Sequence, residues 1–187
     1  MDSGQHAEGK GTNLLWSFAK ILFAVALVLG LSWLLRTYVF QAYEIPSGSM
    51  ERTIMTNDMV FAEKVSYYFH DPEQGDIVTF EDPEVSNRTL IKRVIAVGGQ
   101  TVDINDEDGL VYVDGEPLDE DYVTGPSYTL DSDISYPYTV PEGYIWVMGD
   151  NRTNSQDSRY FGAVSVDSVT ARATFIYWPI DEIGVLE

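Results

Sequence analysis

The chain of 187 residues contains no cysteine and only two histidines, His6 and His70. The first absence removes disulfide bonds and thiol chemistry, though it leaves an extracytoplasmic location open. The second leaves little from which to build a histidine-based catalytic pair, and a metal site resting on two histidines is not expected. His6 lies in a polar, Gly-containing stretch, and His70 sits in Tyr67-Tyr68-Phe69-His70-Asp71-Pro72, which reads as a surface turn. Positive charge is also scarce, with 11 basic residues against 30 acidic ones and a net charge of −19. Eight of the 11 and 28 of the 30 lie beyond Arg36, so that part of the chain carries a charge near −20. Phosphate would be repelled, which excludes nucleic acid as a partner. The acidity suits a solvated, salt-tolerant surface and does not bear on the fold.

One long apolar run is present, from Leu14 to Leu35, interrupted by Lys20 and small hydroxyl residues. It has the roughly 20 residues that a helix needs to cross a bilayer core. The bulky Arg36-Thr37-Tyr38-Val39-Phe40 that follows lacks the small residues of a cleavage site, so an uncleaved signal-anchor is expected. Tyr38, Val39 and Phe40 suit the interfacial zone. Lys10 and Lys20 on one side and Arg36 on the other give only a slight positive-inside signal. The expected topology has the N-terminus in the cytoplasm and the acidic domain outside. The expected organisation is a polar tail over 1–13, a membrane segment over 14–36 and a β-rich domain over 37–187.

Beyond the apolar run no comparable helical stripe occurs. Asp58 to Val65, Gly75 to Phe80, Thr89 to Val97, Gln100 to Asn105, Leu110 to Val113, Tyr144 to Met148 and Val169 to Trp178 read as strands separated by turn residues. This pattern predicts a mostly β fold with an antiparallel sheet. The acidic, Tyr-, Gly- and Pro-containing section from about 106 to 141 reads as an insertion that forms a small β lobe.

Chemistry is suggested by Ile45-Pro46-Ser47-Gly48-Ser49-Met50, where two serines occupy a turn just past the apolar run. A serine nucleophile needs a base, and histidine is nearly absent. Only two lysines follow Arg36, Lys64 and Lys92. Lys64 has Glu63 beside it and reads as an ordinary surface lysine. Lys92 is flanked by Leu90-Ile91 and by Val94-Ile95-Ala96-Val97, a run that suggests a strand covered on both faces. Burial there disfavours the ammonium form and lowers the pKa. A useful base needs a drop of about three units from the free value near 10.4, which corresponds to roughly 4 kcal/mol. The surrounding acidity opposes that drop, so the amine must be dry and kept from carboxylates. The plain alternative is a lysine that snorkels out of its strand.

A third block, Met148-Gly149-Asp150-Asn151-Arg152-Thr153-Asn154-Ser155-Gln156-Asp157-Ser158-Arg159, completes the pattern. An apolar segment, the Ser47–Met50 turn, the Leu90–Ile95 run and this block, in that order, resemble the bacterial type I signal peptidases. These are membrane-anchored Ser/Lys proteases. The resemblance implies that Ser49 is the nucleophile, Lys92 the general base, and Ser47 with the Ser49 N–H the oxyanion hole. It implies that Ser155 orients the lysine amine, and that Arg93 with Asp150 and Asp157 with Arg159 form structural ion pairs. Met50 would line the substrate pocket, with plain core filling as the alternative. The implied substrates are secretory precursors with signal peptides, cleaved beside the lipid bilayer by a monomer that needs no cofactor or metal. One departure is Arg52, where the family usually has proline; arginine does not restrain the backbone as proline does.

Two other readings share parts of this pattern. A Ser/Lys self-cleaving regulator would use the same dyad, but the apolar run and the acidic domain oppose it. A membrane-anchored β domain that binds extracellular partners would leave the serine turn merely structural.

Overall fold

The computed structural model describes residues 9–186, with side chains from residue 16. The chain divides into two compact units, Met1–Val39 and Phe40–Glu187.

The first unit is the helix α1, Gly9–Tyr38. Residues 1–8 of the expected tail lie outside the described residues, and Gly9 to Asn13 belong to the helix. A helix gains one hydrogen bond for each residue it adds, so an apolar helix extends readily into a polar flank. Trp16–Tyr38, 23 residues, is long and apolar enough to cross a membrane. Its large apolar side chains, including Trp16, Phe23, Leu29 and Trp33, are exposed except for the half-buried Leu35. A helix that is apolar all round and uncovered calls for an apolar surrounding.

The second unit is an antiparallel β structure, as the strand pattern predicts. Its strands are β1 (Phe40–Glu44), β2 (Met59–Glu63), β3 (Ile77–Glu81), β4 (Thr89–Val97), β5 (Thr101–Asn105), β6 (Leu110–Val113), β7 (Glu116–Pro117), β8 (Tyr138–Thr139), β9 (Tyr144–Met148), β10 (Val164–Ser165), β11 (Val169–Trp178) and β12 (Gly184–Val185). The main sheet has the order β1-β2-β11-β3-β4-β9-β10, with β12 paired to β11. A smaller sheet has the order β7-β6-β5-β8. The short helix α2, Ser158–Phe161, follows the Gly149–Asp157 loop.

Strand β1 is absent from the sequence-based expectation. It directly follows the apolar run, and its side chains at the sheet border are only partly covered. It is held by its register on β2, Phe40 opposite Glu63 and Glu44 opposite Met59. Phe40 also meets the Phe61 ring edge-on at 5.7 Å. The insertion expected over about 106–141 corresponds to a sheet whose strands run from Thr101 to Thr139. Val102 and Ile104 of β5 are buried with Val111, Val113 and Val140, and also with Ile95, Ala96, Trp146 and Met148 of the main sheet. The lobe therefore shares a core with β4 and β9.

The centre of the unit is β4. It pairs with β3 along Thr89–Arg93, Val78 lying opposite Lys92, and with β9 from Arg93 onward. Residues Ile91 to Ala96 are all buried. A strand enclosed in this way accounts for its continuous apolar run.

Candidate active site

The turn that carries Ser49 is a single helical turn, Gly48–Met50, which starts after the extended Ser47. The loop around it is closed at its base, where Ile45 N donates to Asp58 O at 2.9 Å and Asn57 N to Ile45 O at 2.8 Å. Within it, Glu51 N donates to Gly48 O at 3.2 Å and Ile54 N to Met50 O at 2.8 Å. Met50 and Ile54 are fully buried with Ile45, Ile77 and Ile91, and this apolar floor seats the turn. Ser47 is exposed, and its hydroxyl makes no capping bond to the turn.

Lys92 reaches this turn from β4. Its Nζ donates to Ser49 Oγ at 2.7 Å and to Ile91 O at 2.8 Å. Lys92 is 3% exposed and Ser49 6%. Burial drives the lysine pKa down to about 8, and the nearby Arg88 guanidinium pushes the same way, while Asp157, Asp150 and Asp82 oppose it. Desolvation prevails because no carboxylate touches the amine. A pair of this kind, a hydroxyl against an amine that is readily neutral, can generate an alkoxide-like nucleophile.

Arg93, the next residue on β4, has a different environment. Its Nε and Nη2 donate to the two oxygens of Asp150 at 3.0 and 2.8 Å, and both side chains are buried. Its guanidinium carbon also lies 3.8 Å from the centre of the Tyr122 ring. Asp157 and Arg159 form a second buried fork at 2.9 and 2.9 Å. The Asp157 carboxylate also accepts from the Gly149 N–H at 3.1 Å, which ties the ion pair to the loop beside Ser49.

Ser155 is close by, but its buried Oγ has no hydrogen-bond partner. Gly149 makes the crowding possible: a Cβ there would lie 2.3 Å from Ser155 Oγ and 2.5 Å from Ser49 O. A cavity of about 590 Å³, lined in part by Arg152, Ser155 and Arg159, includes neither Ser49 nor Lys92 in its wall. His70 is exposed, with Nδ1 2.9 Å from the carbonyl of Asp71. His6 lies outside the described residues. Among the described residues, no group of three or more His, Cys, Asp or Glu is arranged to hold a metal ion.

Three features carry no signal in the sequence. Arg152 forms a buried pair with Glu120 at 2.6 Å and bonds Ser127 Oγ at 2.6 Å. The segment around Thr124 makes a parallel bridge to Asn151, so a piece of the insertion lies against the Gly149–Thr153 loop. Arg52 has φ +90°, a left-handed value that a proline ring cannot adopt, and its Nη1 donates to Val123 O at 3.1 Å. A tertiary contact, not a ring, restrains this turn.

The profile of the family described as Signal peptidase, peptidase S26 matches residues 15–178. The chain belongs to this family. A probable signal peptidase I-1 from Synechocystis is 42% identical over 182 residues, covering 91% of this chain and 88% of the relative. A signal peptidase I from Leptolyngbya laminosa is 37% identical and covers 92% of this chain and 84% of the relative. A probable signal peptidase I from Mycobacterium leprae is 33% identical, covering 95% and 81%. Membership in the signal peptidase family makes the protein a peptidase of the signal peptidase I type, and its apolar N-terminal helix fits a membrane anchor.

Proposed function

We propose that this signal peptidase removes signal peptides from secretory precursors with Ser49 as nucleophile and Lys92 as general base. One observation carries the assignment: the 2.7 Å contact between a buried amine and the Ser49 hydroxyl. The neutral amine accepts the Ser49 proton as Oγ attacks the scissile carbonyl. The oxyanion that forms is held by the Ser49 N–H and the Ser47 hydroxyl. The ammonium then passes its proton to the leaving amine, leaving an ester on Ser49. Water, deprotonated by the same amine, cleaves that ester and restores the hydroxyl.

Supporting groups follow from the neighbourhood. Ser155 orients the amine once substrate closes the site. The Arg93–Asp150 and Asp157–Arg159 pairs hold the loop that flanks the dyad. Met50, buried beneath the Ser49 turn, backs the subsite for small side chains. An extended Ala-x-Ala-like segment would add to exposed backbone. Strand β1 is the outer strand of its sheet, and β9 pairs with β4 only from Arg93, so Thr89–Lys92 keeps an unpaired edge among the described residues. Helix α1 spans the bilayer with the N-terminus in the cytoplasm and the catalytic unit outside. That tether raises the effective concentration of membrane-borne substrate. The enzyme works as a monomer, without cofactor, metal or nucleic acid.

The test incubates the purified full chain, Ser49→Ala and Lys92→Ala with a precursor bearing a signal sequence. The unsubstituted protein is expected to release the mature form, and neither variant should. Equal turnover by either variant would reject the dyad.

A further inference from the structure

We infer that Asn151 is a positioning residue that aims the Ser49 N–H at the reacting carbonyl through the Gly48–Ser49 peptide group. The inference rests on the proposed reading of that N–H as an oxyanion donor. A peptide group is planar, so the Gly48 oxygen and the Ser49 N–H point oppositely from one rigid plate. Whatever holds the oxygen aims the N–H. Asn151 Nδ2 donates to Gly48 O at 3.1 Å. The Asn151 backbone N–H donates to Ser49 O at 3.0 Å. The peptide groups on both sides of the Ser49 Cα thus each take a bond from Asn151, with Gly48 O also accepting from the Glu51 N–H at 3.2 Å.

The amide of Asn151 is itself oriented. Its second N–H faces Glu51 Oε2 at 3.2 Å, and its Oδ1 accepts from Thr153 Oγ1 at 3.2 Å. A flipped amide would set oxygen against oxygen at Gly48 and at Glu51. Asn151 is 8% exposed, so water does not substitute readily for these bonds. Its backbone is held by the bridge to Thr124 and by Arg152 N, which donates to Thr124 O at 3.0 Å. A Cβ at Gly48 would push aside the end of the Glu51 side chain, which is itself a partner of Asn151 Nδ2. Donation into the Gly48 carbonyl also polarises the amide and strengthens the opposite N–H as a donor.

The test uses the full chain in detergent with a signal-bearing peptide and two variants, Asn151→Ala and the similarly sized Asn151→Leu, which lacks the side-chain donor and adds no charge beside Lys92. The expected result is a fall in kcat of about 100-fold with KM and the acid limb of the pH profile unchanged. A peptide aldehyde, which becomes a tetrahedral anion on Ser49, should lose affinity by a similar factor. An uncleavable peptide should bind as before. Retained kcat, a shifted acid limb, equal loss of peptide and aldehyde binding, or failure of both variants to fold would overturn the inference. Ser49→Ala in the same assay separates the two readings. If it still turns over, the proposed function fails; if it is inactive while the Asn151 variants are fully active, only the positioning role fails.

Discussion

Lys92 and Arg93 are neighbours on one strand, 3% and 2% exposed, and they face opposite sides of the sheet. Their fates differ because their partners differ. On one side the amine meets a hydroxyl and a carbonyl, neither of them charged, and its pKa falls to about 8. On the other side a guanidinium, which keeps its charge, meets the carboxylate of Asp150 and the face of Tyr122. Burial alone therefore does not make a base. A buried cation becomes one when the fold withholds a counter-charge and the group can release its proton. The same strand carries both arrangements, the proposed base on one face and a buried ion pair on the other.

The strongest way to break this contrast is Lys92→Met. Turnover should fall by about 10³-fold or more, measured as release of mature protein. Stability should move the other way. The folded pKa of about 8 lies below the free value of 10.5. The unfolded chain therefore binds more protons between those values, and stability rises with pH across that window. Below pH 8 the penalty is complete, about 3 kcal/mol. Lys92→Met should unfold at a higher temperature than the unsubstituted protein at pH 7, with the difference gone above pH 10.5. A lower melting temperature at pH 7 would mean that the amine is not strained by burial.

On the other face, Asp150→Ala should cost about 3–5 kcal/mol by removing the carboxylate that balances the charge of the buried Arg93 guanidinium. Chemical denaturation of this variant and of an Arg93→Met, Asp150→Leu double variant measures it. The double variant should recover most of the loss. Gly149 sits between the two sides, preceding Asp150 and crowding Ser155 and Ser49. Gly149→Ala should displace the Ser49 turn and lower kcat by about 100-fold, with a smaller effect on stability than Asp150→Ala. The smallest effect is expected from Arg88→Gln. Arg88 helps hold the lysine pKa down, so its loss should move the acid limb of the pH–rate profile slightly upward from about 8. The Arg88 side chain is 42% exposed, and solvent screening keeps the shift small.

Strands with a continuous or alternating pattern were legible from residues alone. β4, β6, β9 and β11 have the expected bounds, because their burial follows from their own side chains. β1 was not legible: an edge strand with half-covered residues resembles the tail of the apolar run before it. The lobe was visible as a change in composition, but its first strand, β5, was not assigned to it. Val102 and Ile104 look like any strand until their shared core with Val111 and Trp146 is seen. Arg52 suggested a looser turn, whereas the structure restrains it through Val123, which lies 71 positions away. The pairs Glu120–Arg152 and Tyr122–Arg93 were invisible for the same reason. Nothing local to either partner marks a contact that only chain topology creates.

By itself the sequence determined which chemistry was available: no thiol, histidines only in a polar tail and a turn, and one lysine enclosed by apolar neighbours. It also determined an apolar helix and a set of strands, since both follow from side-chain periodicity. The tertiary structure alone decided what that lysine would become. Its proton affinity depends on the water excluded by the packed strands and the Ser49 turn, set against the carboxylates Asp150 and Asp157 that the Gly149–Asp157 loop brings near. Desolvation is a property of the whole enclosure, and segments far apart in the chain build it.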